Sequence, residues 1–374
     1  MLQWKRAPIG DRQYSQIDST CPPEVMLWQE LVMLRHLNCP EGTADAKLIA
    51  PWIDQAKTYF QDAHSANWRS GGLLYYYCFL NLAKAYLATK QAITVEELKT
   101  SRIQHGLSSI PHDPDQLVDF EINIHPPKRG GTVNLFASFY EVLLGEKWPF
   151  QEMISIKIRD VMAYCRDISV ELANFYGISK MLVDVVSLYR SSGNKVWHEL
   201  SVACDAADIL RSTVNTKLHA VPYVSAEEED KRAWYEAYDY CEGILSNSCF
   251  LRTEALEFSP DNEEEVFQTV EVLANRTYAP YLLPTPYVVP EAIEVVTFVS
   301  NIVMKEQSFR WHPMLSDYLF AFVLSTVLRY QPYMLPSNSK PSFTAEAWCN
   351  QSPISSLRYF LMALTSPSVR VKCV

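Results

Sequence analysis

The sequence is poor in glycine and lacks the short motifs typical of common catalytic and nucleotide-binding sites. Only 11 of the 374 residues are glycine, whereas average usage is about 7 per cent. This scarcity disfavours nucleotide-binding folds with several glycine-rich phosphate loops. The chain also contains no Gly-x-Ser-x-Gly, no Gly-x4-Gly-Lys-Ser/Thr and no Gly-x-Gly-x-x-Gly, so the acyl-transfer and P-loop classes have no support. We therefore expect no cofactor.

Paired cysteines and long uncharged runs are missing as well. The nine cysteines are odd in number, scattered, and never spaced as Cys-x-x-Cys, which is typical of reduced thiols in a cytosolic protein. The N-terminus has no apolar run behind its basic residues, so we expect no secretory signal. The most apolar stretches, 73–88 and 314–330, are interrupted by Lys84, Asp317 and Arg329 and fall short of the roughly 18 to 20 uncharged residues of a membrane span. These features predict a soluble, cytoplasmic protein without a membrane segment.

The chain has no excess of positive charge, since its formal net charge is −10. Such a surface repels phosphate backbones at long range, which disfavours bulk binding of nucleic acid. A local contact stays open. Lys128 and Arg129, ahead of an expected helix from Val133, are the best linear candidates for holding an anion at a helix N-terminus, although a polar turn after a strand is the favoured explanation of these residues.

Two segments without a polar face predict the centre of the fold. Residues 312–332, bounded by Pro313 and Pro332, and residues 73–89 are apolar on nearly every side. A helix of this kind must be surrounded by other protein or by lipid, so we predict two central buried helices there. Apolar spacing and capping residues predict further helices at 23–38, 44–66, 94–101, 133–144, 154–176, 205–215 and 352–364.

Shorter patterns predict strands. Residues 117–124 alternate between apolar and polar, followed by a turn up to residue 131, and segments 181–189 and 195–203 form a hairpin around 191–194. Residues 217–224, 266–274, 287–289 and 293–299 are also strand-like. We predict a mainly α fold with a small β-containing insertion (α+β). Its parts are an N-terminal helical region (1–178, with the strand and turn at 117–131), a mixed α/β insertion (179–300) and C-terminal helices (301–374) that pack back on the N-terminal region.

His105 and Arg102 are the candidates for catalysis. An arginine and a histidine on one helix face could position a phosphate and a base, as in small helical RNases, but these two are only three residues apart. His105 and His112 with the nearby Asp113 and Asp115 do not have the spacing of a metal site, so we predict no metal. The alternative for His105 is a loop or capping histidine.

Three blocks of sequence resemble the YaaC-like family of bacterial proteins, in family order over about residues 55 to 365. The first consists of 59–63, 73–77, 81–85 and 105–107, the second of 131–133, 135–136 and 143–145, and the third of 324–332 and 358–361. The resemblance implies no catalytic residues. In the Arg-Tyr-x-Pro part of the third block, Gln331 stands where an acidic residue is expected, so an ion pair of Arg329 with that position is not available. We regard Arg329 as a structural polar residue at the edge of an apolar helix.

The acidic, motif-poor composition favours a non-catalytic interaction or scaffolding subunit of a bacterial cytosolic complex, such as an anti-phage defence assembly. Tyr278, Tyr281 and Tyr287 lie in a proline-rich aromatic segment that suits a partner surface, so we expect a protein partner or a homo-oligomer. The competing class is a metal-independent RNase-like or nucleotide-processing enzyme that uses His105 and Arg102. The sequence does not decide between the binding subunit and the enzyme.

Overall fold

The computed structural model describes residues 15–19, 28–29, 44–90, 92–93, 102–109, 117–129, 132–192, 194–204, 207, 219–221, 248–257, 282–284, 294–299, 302–364 and 369–373. The chain divides into two compact units. The helical unit comprises Ser19–Lys180 and Ile302–Ser366, and the sheet unit comprises Met1–Asp18, Met181–Asn301 and Pro367–Val374.

Strands of both units are numbered along the chain. They are β1 (Ser15–Ser19), β2 (Arg102–Gln104), β3 (Leu107–Ser109), β4 (Glu121–Ile124), β5 (Lys128–Arg129), β6 (Thr132–Asn134), β7 (Ile154–Lys157), β8 (Leu182–Ser192), β9 (Lys195–Ala203), β10 (His219–Val221), β11 (Ser248–Arg252), β12 (Leu256–Glu257), β13 (Leu282–Pro284), β14 (Glu294–Val299), β15 (Ile302–Met304), β16 (Gln307–Phe309) and β17 (Val369–Cys373).

The helices whose bounds the structure describes belong to the helical unit. They are α1 (Ala44–Ser65), α2 (Trp68–Thr89), α3 (Leu135–Leu144), α4 (Ile158–Met162), α5 (Ser169–Tyr176), α6 (Pro313–Tyr330) and α7 (Lys340–Leu364). Leu117–Asp119 and Pro332–Met334 form short 3₁₀ turns. The predicted mainly helical fold with a small β part is confirmed, and so are the two central helices, which are α2 and α6.

Helices α2 and α6 pack closely against each other in the core. Every residue of α6 from Pro313 to Val327 is buried. The ring of Tyr76 on α2 contacts Tyr318 and Phe322 on α6, with centroids 6.0 and 5.7 Å apart. Trp348 of α7 covers the opposite side of the pair, because its ring packs edge-on against Tyr75, Phe79 and Phe320. The apolar sequence of both helices is thus explained by burial in protein.

Helix α2 starts earlier than the sequence indicates. Residues 70–72, which lie between the helices predicted at 44–66 and 73–89, are part of the helix. It begins after Asn67, whose side chain accepts a hydrogen bond from the Arg69 N–H (3.0 Å). The glycines allow close packing instead. A Cβ on Gly72 would lie 2.7 Å from a methyl carbon of Leu324 on α6, and one on Gly71 would lie 2.9 Å from the Ala63 carbonyl oxygen on α1. Tertiary packing, which the local pattern does not contain, explains the error.

Three other predicted elements are wrong in type or extent. Residues 154–176 are not one helix but strand β7 followed by α4 and α5, and the alternating burial of Ile154–Lys157 is that of a strand. The first part of 117–124 is a 3₁₀ turn, and only β4 is a strand. Helix α7 begins at Lys340 rather than 352, because the Ser339 hydroxyl accepts from the Ser342 N–H (3.3 Å) and Pro341 suits a first helical turn.

Other predictions fit the described chain. Helices α3 and α5 end at Gly145 and Gly177, both with φ of 65°, as expected of glycine caps. The predicted hairpin is β8 and β9, which pair antiparallel from Val186–Ser201 to Ser192–Lys195. The predicted elements at 94–101, 266–274 and 287–289 lie outside the described residues, as do 23–38 except 28–29 and 205–215 except 207.

Each unit has its own sheets. In the helical unit, β2, β6 and β5 form one three-stranded sheet, β3, β4 and β7 form another, and β15 pairs with β16. In the sheet unit, seven strands form one sheet in the order β10-β11-β9-β8-β14-β13, with β12 also on β9. The two strands near the chain ends, β1 and β17, pair with each other. None of the helices in the described part of the chain is long and apolar enough to cross a membrane.

Candidate functional site

His105 lies where the chain passes from one small sheet of the helical unit to the other. It follows β2 and precedes Gly106 and β3, and Gly106 has a positive φ of 74°, which glycine adopts readily. A Cβ on Gly106 would lie 2.8 Å from Asn134 Cβ, which explains why only glycine fits. The backbone is held on both sides, because the Phe136 N–H donates to His105 O (3.1 Å) and the His125 N–H donates to Gly106 O (2.9 Å).

The His105 side chain is exposed but not free to rotate. The Leu107 N–H donates to its Nδ1 atom at 3.2 Å, and its ring lies 5.6 Å from the Phe322 ring of α6. A nitrogen that accepts a hydrogen bond carries no proton. In the neutral ring the proton therefore lies on Nε2, which makes this nitrogen a donor.

Two further cationic or titratable side chains surround His105. Desolvation lowers the pKa of His105, and the nearby charges of Arg329 and His125 lower it further. His125 follows β4, and its Nε2 lies 3.4 Å from the Ser108 hydroxyl on β3. Because β3 and β4 pair antiparallel with Leu107 opposite Ile124, the sheet brings these residues together. We call His105, His125 and Arg329 the His–Arg cluster.

Arg329 is exposed at the C-terminal end of α6. Its Nε donates to the Ser325 carbonyl (3.0 Å), and its guanidinium lies 5.0 Å from the centre of the Tyr330 ring. Within the described residues, Arg329 has no carboxylate partner. Its charge also acts on Tyr76, whose buried hydroxyl has no hydrogen-bond partner among the described residues. The Arg329 charge therefore acts on the His105 ring without a balancing carboxylate among the described residues.

The sheet that ends beside His105 contains the other basic candidates. Arg102 on β2 and Arg129 on β5 both pair with Thr132 of the central strand β6, while Lys128 pairs with Val133. Arg102 is on a strand, so it shares no helix face with His105. For Arg102, Lys128 and Arg129 the structure describes the backbone alone. Tyr278, Tyr281 and Tyr287 lie outside the described residues.

A second polar group, which the sequence did not single out, lies inside the core. The Asp317 side chain on α6 accepts hydrogen bonds from Trp348 Nε1 (2.9 Å) and from the Ser356 hydroxyl, both on α7, and from the Cys165 thiol. Asp317 is only 2 % exposed. Burial raises its pKa to about 7. These bonds tie α6 to α7 and to the chain after α4, which gives Asp317 a structural role.

The described residues contain no cluster of side chains suited to a metal ion. Over the described residues, no group of three or more His, Cys, Asp or Glu side chains is placed to hold a metal ion. His112, Asp113 and Asp115 lie outside them. The His–Arg cluster offers nitrogen donors and positive charge, which suit an anion rather than a cation.

Comparison with known proteins agrees with the resemblance of the three sequence blocks. A family model described as YaaC-like Protein matches residues 44–349. No match was found to a curated protein or to a solved structure. The matched range covers most of the chain and includes α1, α2, the His–Arg cluster and α6. The chain therefore belongs to the YaaC-like family.

Proposed function

We propose that the protein is a non-catalytic binding subunit of a bacterial cytosolic complex, and that its His–Arg cluster recognises a phosphate group. The observation that supports this proposal is the exposed charge of Arg329, which acts on His105 and has no carboxylate partner among the described residues. An exposed guanidinium with free N–H groups is well suited to phosphate oxygens.

The protonation of His105 favours binding over acid–base chemistry. Since Nδ1 accepts from Leu107, the neutral ring offers an N–H donor at Nε2, and its unprotonated nitrogen is already occupied by a backbone N–H. A general base needs such a nitrogen within reach of its substrate. His105 therefore adds a hydrogen-bond donor to the charge of Arg329, which is what an anion site requires.

The overall charge limits the size of the ligand. A net charge of −10 repels an extended phosphate backbone, whereas a single phosphate contacts only the local positive cluster. A nucleotide or another small phosphate-bearing molecule fits better than a long nucleic acid.

Exposed aromatic side chains beside the cluster support a role in a complex. Tyr330 and Tyr333 are 70 % and 60 % exposed, and both follow Arg329 within four residues. Tyrosine and arginine are enriched where proteins contact each other. Light scattering of the purified protein, alone and with the products of neighbouring genes, tests this part. A strict monomer that captures none of them would contradict it. The expected setting in anti-phage defence stays a prediction.

Calorimetric titration with ATP tests the phosphate site. We expect Arg329→Gln and His105→Ala each to weaken binding by about 1.5 to 3 kcal/mol, roughly a ten- to hundredfold loss, as for a charge-assisted hydrogen bond. Arg159→Gln is the matched control, because it removes the same charge from an exposed arginine that pairs with Asp119 (3.0 Å). This pair lies at the other end of β4 from His125. Equal weakening by Arg329→Gln and Arg159→Gln would mean that net charge alone attracts the ligand.

An enzyme is the second candidate, because Ser108 and His125 could act as nucleophile and base. Their separation of 3.4 Å exceeds the roughly 2.6 to 3.2 Å of an activated pair, although such pairs tighten when substrate binds. Incubation with RNA and nucleotides distinguishes the two functions. We expect no turnover. Turnover abolished by Ser108→Ala or His125→Gln, with ATP binding retained, would establish the enzyme instead.

A further inference from the structure

Two cysteines of the sheet unit lie in contact. Cys204 directly follows β9, and Cys249 is the second residue of β11. These strands pair antiparallel with Cys249 opposite Val202, so the sheet places Cys204 and Cys249 as diagonal neighbours. Their Sγ atoms are 2.6 Å apart.

This separation is too short for an ordinary non-bonded contact. Carbon atoms pack at about 3.5 to 4.0 Å, and sulfur is larger than carbon, whereas a disulfide bond measures about 2.05 Å. Only a small movement of the two side chains therefore separates the thiols from a covalent bond. The backbone pairing of β9 and β11 already holds them in this position.

We propose that Cys204 and Cys249 form an oxidation site, at which a peroxide converts the two thiols into an intramolecular disulfide. Accessibility distinguishes this pair from the other cysteines whose side chains the structure describes. Cys204 is exposed and Cys249 half-buried, whereas Cys78, Cys165 and Cys349 are buried. Burial also raises the pKa of these three thiols, which keeps them protonated and unreactive.

The reaction needs only the two thiols and one hydroperoxide. The Cys204 thiolate attacks a peroxide oxygen, the O–O bond breaks, and a sulfenic acid and water form after uptake of the thiol proton. The Cys249 sulfur then attacks Cys204 Sγ, the S–O bond breaks, and the hydroxide leaves as water with the proton of Cys249. The two sulfurs together lose two electrons, which reduce the peroxide to two waters. A dithiol reductant reverses the change.

The disulfide would close the chain segment between β9 and β11. Residues 205–248 lie between the two cysteines, and a covalent link around a loop of this length restricts the unfolded chain substantially. We therefore expect oxidation to raise the melting temperature of the wild-type protein by several degrees, and to leave that of Cys204→Ser unchanged.

Peptide mapping of the full-length protein tests the proposal directly. The protein is treated with hydrogen peroxide, alkylated in denaturant without reductant, and digested with trypsin. We expect a linked pair of peptides 196–211 and 233–252, and the loss of two of the nine alkylatable thiols. Because peptide 233–252 also contains Cys241, fragment ions must identify the linked residue.

Cys241→Ser is the matched control and should leave the linked peptides intact, whereas Cys204→Ser and Cys249→Ser should each abolish them. Alkylation of both Cys204 and Cys249 after peroxide treatment of the wild-type protein would overturn the proposal. A link of Cys204 to Cys241 or to a second molecule would overturn it as well. Neither result would affect the proposed phosphate site, because that site contains no cysteine.

Discussion

Asp317→Asn should change how the stability of the protein depends on pH. Asp317 is 2 % exposed, and burial raises its pKa from the ordinary value of 3.8 to about 7. His312 begins the same helix, where its Nδ1 accepts from the Met314 N–H (3.0 Å). Burial lowers the pKa of His312 from 6.5 to about 3. In weak acid the folded protein therefore holds both side chains neutral, whereas the unfolded chain holds both charged.

The two groups act on stability with opposite signs. Between pH 3.8 and about 7, the folded protein retains a proton on Asp317 that the unfolded chain has lost. Its contribution to the free energy of unfolding therefore falls as pH rises, by about 1.4 kcal/mol per pH unit. Between about pH 3 and pH 6.5, the unfolded chain binds a proton on His312 that the folded protein excludes. That contribution rises with the same slope, so the two cancel from about pH 4 to about pH 6.5.

Removing one of the two groups leaves the effect of the other on the pH dependence of stability no longer cancelled. From about pH 4.5 to about pH 6, the free energy of unfolding of Asp317→Asn, relative to wild type, should rise by about 2 kcal/mol. For His312→Asn, which keeps a side chain suited to capping α6, the free energy of unfolding relative to wild type should fall by about the same amount over this range. Asp317→Asn should also be less stable throughout by about 1 to 3 kcal/mol, because one amide oxygen replaces two carboxyl oxygens as acceptor for Trp348 and Ser356.

Urea unfolding followed by tryptophan fluorescence, at several pH values, measures these differences. Asp160→Asn is the control, because it makes the same change at an exposed position of α4 and should follow the wild-type profile. If the difference curves of Asp317→Asn and His312→Asn are flat, or have the same sign, the protonation states deduced for the core are wrong.

Three further predictions follow from close contacts. Gly72→Ala should lower the free energy of unfolding by about 1 to 3 kcal/mol through its clash with Leu324 (2.7 Å). In a double-mutant cycle measured by urea unfolding, Leu324→Ala should relieve part of this loss, and independent effects of the two substitutions would contradict the contact. Gly106→Ala should weaken ATP binding in calorimetry, because the positive φ at this position strains alanine and the added Cβ clashes with Asn134, which together displace His105. Unchanged affinity would show that the position of His105 does not matter. Arg310 Nε donates a hydrogen bond to Glu146 (2.7 Å), and its Nη2 donates to the Leu144 carbonyl (2.8 Å). Arg310→Gln should therefore lower the free energy of unfolding by about 1 to 2 kcal/mol, as for a half-exposed ion pair, and with it the melting temperature. An unchanged melting temperature would mean that this link is not stabilising.

The central helices could be predicted from the sequence, but not how closely they approach. The uninterrupted apolar character of α2 and α6 indicates burial without any partner being known. The role of Gly72 depends on Leu324, about 250 positions away in the sequence, so a local pattern suggests a break where there is a contact. For β7 the signal was present, since Ile154 and Ile156 alternate with polar residues, but the longer apolar spacing over 154–176 concealed it.

The candidate site was predictable in part. His105 and Arg329 are notable in the sequence as polar residues next to apolar segments. His125 and Ser108 come together only because β3 pairs with β4, and a single sequence does not give that pairing. Asp317 was visible as a charge within an apolar helix, but its role depends on Trp348 and Ser356, which the sequence places 31 and 39 residues away.

Titration of the His105 imidazole by NMR, with and without ATP, tests the proposed phosphate site most directly. Without ligand, we predict a neutral ring protonated at Nε2 and a pKa below the ordinary 6.5. With ATP bound, the phosphate should raise this pKa, and by linkage ATP should bind more tightly as the pH falls through it. In Arg329→Gln without ATP, the pKa of His105 should be higher than in wild type, because a neighbouring positive charge is removed. ATP should then shift the His105 pKa less than in wild type. A pKa of His105 that is the same with and without saturating ATP would contradict the account.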